Sequence, residues 1–182
     1  MNTQAQSRYE IPCDKRVFEY SLKVLQSLEG TRETTSKNDG VKINEIQMIC
    51  GIPKGAPYCN ATQYYTFYKS AEDLQLDIKA IPIPKNGLAQ SSFIYASKHG
   101  KKTAYNAEYG DLLVWARGNS INGHIERVTE IRSMGWVITL GGNVSATIDG
   151  KTVEGIFYKK RHLANPLGRL LQPKGLVGLK TN

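Results

Sequence analysis

The sequence predicts an α+β fold, with N-terminal helices packed on a small antiparallel β-sheet. Apolar residues in the first half recur at helical spacing, whereas after Gly110 the pattern changes to short β-branched and aromatic runs divided by Gly-containing turns. Size sets the scale: 182 residues with 40% hydrophobic content can bury one substantial core, so one domain with short extensions is expected.

Val17, Phe18, Leu22, Val24, Leu25 and Leu28 predict an amphipathic helix over 14–29, with Asp14 as its cap and Gly30 closing it. A polar stretch, TRETTSKNDG, leads to a second helix through Ile43, Ile46 and Ile49 that ends at Gly51. The prolines and glycines of GIPKGAPYC then forbid regular structure up to Cys59. From Cys59, NATQYYTFYK has no breaker and sets Ala61, Tyr64, Tyr65 and Tyr68 on one side of a third helix, whose first turn holds the cysteine. AIPIPKNG reads as a loop or edge segment and SSFIYASKHG as a short helix. Four strands follow, at DLLVWAR, GHIERVTEI, WVITLGG and VEGIFYKK. No acidic residue occurs after Glu154, and the last stretch, LANPLGRLLQPKGLVGLKTN, reads as either a draped extension or a flexible basic arm.

The formal net charge of +8 favours polyanionic partners, among them nucleic acid, anionic lipid and the acidic polymers of a bacterial wall. Basic residues are scattered and not interleaved with aromatics in any recognised motif, so nucleic acid is the weaker choice. No stretch approaches the length of a membrane span, and MNTQAQSRYEIPCDKR has neither a basic n-region nor an apolar h-region. The expectation is synthesis in the cytoplasm without a signal peptide, with action elsewhere after lysis, virion delivery or non-classical export. Cys13, Cys50 and Cys59 are odd in number and lack CxxC spacing, against both a disulfide framework and a cysteine zinc site. His99, His124 and His162 lack HExxH-like spacing, against a zinc hydrolase.

A thiol at a helix N-terminus is favoured as a nucleophile because unpaired N–H groups and the helix dipole stabilise thiolate, and only Cys59 is so placed. Such a thiol needs a base. His124 opens a strand just after Gly123, where the glycine leaves room for substrate. Asn143, at the end of the next strand, lies within reach to orient the imidazole. Glu126 shares a strand face with His124, and either strengthens a thiolate–imidazolium pair or is a solvated surface charge.

Taken in order, the segment TRETTSKNDGVKINEIQMICGIPKGAPYC, then GDLLVW, GHIERV, LGGNVS and GIFYKKR, resembles the CHAP and NlpC/P60 superfamily of cysteine peptidoglycan amidases and endopeptidases. The resemblance frames residues 31 to 161. It implies a papain-like catalytic domain over 31–163, flanked by an N-terminal helical extension (1–30) and a basic Pro/Gly-containing tail (164–182). It further implies Cys59 as nucleophile, His124 as general base and acid, and Asn143 as orienting residue. Tyr58, which stands where the family usually has Trp, is expected to offer an aromatic wall, and Tyr58, Asn60, Gly123 and Glu126 are the expected substrate contacts. The implied substrate is the peptide of peptidoglycan, cut at the muramoyl–alanine amide or at a bond within or between stems, with no cofactor. Asn38 and Asp39 alone do not make the calcium site of some CHAP domains, since calcium takes six to eight oxygen ligands. The alternative is a non-catalytic virion or cell-wall-binding protein that retains the fold.

Overall fold

A computed structural model of the chain describes residues 6–181. Residues 1–5 and 182, on which part of the signal-peptide reading and the ends of the expected extension and tail fall, lie outside the described residues.

Asp14 caps α1 (Lys15–Ser27) by accepting from the N–H groups of Arg16 and Val17, and Val17, Leu22 and Leu25 form its buried stripe. α2 (Val41–Cys50) stops at Gly51, whose φ of 76° suits glycine. α3 (Cys59–Asp73) starts at Cys59 and is buried on most sides, because α1 and α2 pack on it while the sheet lies against its other flank. A 3-10 turn at Ile78–Ala80 and α4 (Ala89–His99) complete the helices.

Seven strands form one sheet: β1 (Ser7–Cys13), β2 (Lys101–Thr103), β3 (Leu112–Arg117), β4 (Gly123–Ile131), β5 (Trp136–Ile148), β6 (Lys151–His162) and β7 (Leu171–Thr181), in the order β2-β1-β7-β3-β4-β5-β6. The fold is therefore α+β, but the sheet is mixed and not purely antiparallel, since β1 and β7 run parallel. The first and last described segments both enter the sheet. The first 30 residues are not a helical extension, because they contribute β1 as well as α1. Nor is the C-terminal stretch a draped or flexible tail: β7 lies between β1 and β3, with Leu176 and Val177 fully buried. The physical reason is burial, since the apolar run GLVGL fills one interior lane of the sheet despite its Pro and Gly content.

The main core lies between helices and sheet and includes Val17, Ile43, Phe67, Val114, Ile125 and Val177. A second cluster of Leu113, Trp115, Val128, Val137 and Leu176 is covered by Tyr105, Leu163, Leu167 and Leu171. Two buried arginines fix elements that carry the site. Arg8 of β1 donates to Asp111, just before β3, at 2.8 and 3.2 Å. Arg127 of β4 sits 4.3 Å from the Phe67 ring centroid and donates to Gln63 Oε1 at 3.3 Å, which pins β4 to α3.

Candidate active site

Tyr58 holds the N-cap position of α3 without a capping side chain, and the helix bonds begin with Thr62 N–H to the Tyr58 carbonyl at 2.8 Å. The N–H groups of the first turn, including that of Cys59, are thus not consumed by the helix. The helix end approaches β5 closely at Gly142, where a Cβ would stand 2.2 Å from Thr62 Oγ1 and 3.0 Å from the Tyr58 ring.

His124 lies on β4 before the stretch paired with β5, which runs from Arg127↔Leu140 to Ile131↔Val137. Here β4 pairs with β3 alone, which leaves the imidazole beside Cys59 on the same cleft. Its Nε2 is 2.8 Å from Glu126 Oε1, which leaves Nδ1 for the sulfur. Trp115, the cross-strand partner of His124, backs the ring at 5.9 Å between centroids.

Glu126 has no exposed surface. Its carboxylate accepts from Arg161 Nε at 3.0 Å and Nη2 at 2.5 Å, and from the Thr139 hydroxyl. Gly141 opposite leaves the room it needs, since a Cβ there would fall 2.7 Å from Glu126 Cγ. Burial alone would raise the carboxyl, but hydrogen bonds from His124 and Arg161 hold it well below the usual carboxylate range. Burial likewise disfavours a charged His124 ring, yet hydrogen bonds and charge from Cys59 and Glu126 outweigh it and hold the imidazole well above its ordinary value. The reading of Glu126 as a solvated charge is thereby excluded.

Cys59 and His124 are only 3% and 8% exposed, but both line a cleft of about 900 Å³ together with Gly123 and Asn143. Ile52, Pro53, Ala56 and Pro57, together with Leu88, Leu167, Leu170 and Leu171, make much of the lining apolar. A separate cleft of about 630 Å³ beside Cys13 and His99 contains neither Cys59 nor His124. Cys13 and Cys50 are buried, and burial pushes each thiol up to about 11.

Several expected contacts are placed differently. Tyr58 is fully buried and offers no wall to the cleft; its hydroxyl donates to Glu33 at 3.0 Å, and burial followed by Glu33 pushes the phenol up. Asn60 is also fully buried, where it donates to the Asn86 carbonyl at 2.6 Å and accepts from Ser92 at 3.0 Å. Both hold the scaffold around Cys59, because the whole first turn of α3 is buried. Asp39 accepts from Thr35 within its own loop. Asn143 does line it, but the imidazole is held by Glu126 in its place: β5 bulges between Gly142 and Val144, and Asn143 there has a φ of 60°. Gly123 lines the cleft as expected and also admits the Trp115 carbonyl, 2.0 Å from where a Cβ would be.

Arg161 and Thr139 were not visible as site residues in the sequence. Strand alternation pairs Glu126 with His124, but the cation that makes its burial tolerable comes from β6, thirty-five residues on. Its only local signal is the closing GIFYKKR segment, in which Arg161 reads as one of several basic residues.

Fold and site together define an α+β protein with a cysteine, a histidine and a buried glutamate meeting at the wall of an open cleft. No family model, curated protein or solved structure matches the chain. Among the described residues, no group of three or more His, Cys, Asp or Glu side chains is placed to hold a metal ion, and no helix is long and apolar enough to cross a membrane.

Proposed function

We propose that the chain is a papain-like thiol hydrolase that cleaves an amide of the peptidoglycan peptide through a Cys59 acyl-enzyme. The observation that carries this reading is that Cys59 and His124 line one cleft while Glu126, locked by Arg161, holds the imidazole from behind. Glu126 takes the orienting role: it fixes Nε2 and sustains the imidazolium that accompanies a thiolate. The peptidoglycan assignment rests on the ordered sequence segments and on the cationic surface.

In the first step the Cys59 thiolate adds to the amide carbonyl carbon, and the oxyanion is met by N–H groups of the first turn of α3. The C–N bond breaks as the His124 imidazolium gives its Nδ1 proton to the departing amine, leaving a thioester. Water then adds to the thioester carbonyl while His124 takes its proton, and the C–S bond breaks to release the acid and restore the ion pair.

Mass spectrometry of peptidoglycan fragments after incubation with the wild type and Cys59→Ala tests the proposal. New fragments that carry one added water at an amide, absent with Cys59→Ala, support it. The same fragments from both proteins would remove Cys59 from the chemistry, and intact wall material from both would remove peptidoglycan as the substrate.

A further inference from the structure

Two arginines line the cleft, and neither guanidinium has a hydrogen-bond or ion-pair partner among the described residues. Arg117 ends β3, where its N–H donates to the Asn122 carbonyl at 3.0 Å, next to Gly123 on the strand of His124. Arg169 sits in the turn between Leu167 and Leu171, closed by Leu167 N–H to the Leu171 carbonyl at 2.8 Å. The register pairs Arg117 with Leu171, so both arginines lie on one flank of the cleft.

That flank is braced. Gln90, 2% exposed, donates to the carbonyls of Ser120 and Asn122 at 2.6 Å each and holds the loop that follows Arg117. Trp115 Nε1 donates to the Asn165 carbonyl at 3.2 Å and holds the segment before Arg169. Among the described residues no acidic side chain lines the cleft, so nothing there offsets the attraction of the two guanidinium groups for an anion.

The geometry points to Arg117 and Arg169 as specificity residues that receive a carboxylate on the amine half of the scissile amide. This inference rests on the reading of Cys59 as nucleophile and His124 as proton donor. His124 must face the departing nitrogen to protonate it, so the amine half lies on the His124 side of Cys59, the side on which β3 and the turn before β7 carry the arginines. The substrate class is therefore an amide whose leaving amine belongs to an acidic peptide or to a residue with a free carboxyl end.

The test compares alkylation of Cys59 by iodoacetate, which carries a carboxylate, with alkylation by neutral iodoacetamide, each followed by peptide mass spectrometry. The ratio of the two rates isolates attraction of the anion from reactivity of the sulfur. For Arg117→Gln and Arg169→Gln the ratio is expected to fall by about twofold to fivefold, in line with an exposed ion pair, and further in the double variant. Lys151→Gln, the same loss of charge at the exposed start of β6, is expected to leave it unchanged. A ratio unaltered by either arginine substitution, or lowered as much by Lys151→Gln, overturns the inference and leaves the nucleophile reading intact. Alkylation of Cys59 by both reagents no faster than of Cys13 and Cys50 overturns the nucleophile reading, and the inference with it.

Discussion

Replacing Glu126 by Gln removes the charge beside His124 while keeping the side chain's volume and one hydrogen-bonding oxygen. The imidazole is held above its ordinary value partly by that charge, so its loss lowers the histidine's pKa and the imidazolium gives up its proton at lower pH. The alkaline limb of the pH profile of kcat/KM should therefore move towards acid in Glu126→Gln, and the maximal rate should fall by about 100-fold, within the range of general acid–base contributions. Steady-state kinetics of amide cleavage across pH checks this; an unmoved alkaline limb would assign Glu126 a packing role only. His124 and Cys59 were legible in the sequence because each has a local signature, a glycine before a strand start and a breaker-rich lead into a helix. Glu126 was half legible: alternation gave its face, but its burial depends on Arg161 and Thr139 from two other strands, which no local window contains.

At the level of elements, the position of the proposed nucleophile depends on how closely β5 and the start of α3 approach one another. Gly142→Ala would place a methyl group 2.2 Å from Thr62 Oγ1, so the helix end or the strand must shift. The expected cost is about 1–3 kcal/mol by urea unfolding, with a larger proportional loss of activity because the displaced turn carries Cys59. Unchanged activity in this variant would mean that the spacing of α3 and β5 does not set the site. Helices with clear spacing or caps, such as α1 with Asp14, were legible, as were β3 to β6. The bulge at Asn143 was not: continued regularly, the β4–β5 register would bring Asn143 opposite His124, but the pairing ends at Arg127↔Leu140. The side chain expected to orient the ring is therefore replaced by one on the histidine's own strand.

For the whole molecule, the parallel pair of β1 and β7 joins the first and last strands of the described chain inside the sheet, Ser7 to Gly175 and Cys13 to Thr181. Neither strand was legible, because a parallel pair that distant in sequence leaves no hairpin signal and the Pro and Gly of β7 read as loop. Leu176→Ala should then cost about 2–5 kcal/mol by urea unfolding, the range for a buried leucine, whereas a flexible arm would tolerate it at almost no cost. With the proposed function, the net charge of +8 predicts that wall digestion falls as ionic strength rises, because screening weakens attachment to an anionic polymer. Turbidity clearing of purified walls at low and high salt checks this, and equal rates would dissociate the charge from the activity. The account depends above all on a thiolate at Cys59 paired with the His124 imidazolium, and the pH dependence of iodoacetamide alkylation, resolved for each cysteine by peptide mass spectrometry, reads that pair most directly. Cys59 should be modified at lower pH than Cys13 and Cys50, whose thiols burial pushes up to about 11; modification of Cys59 only in the same alkaline range as the other two would contradict it.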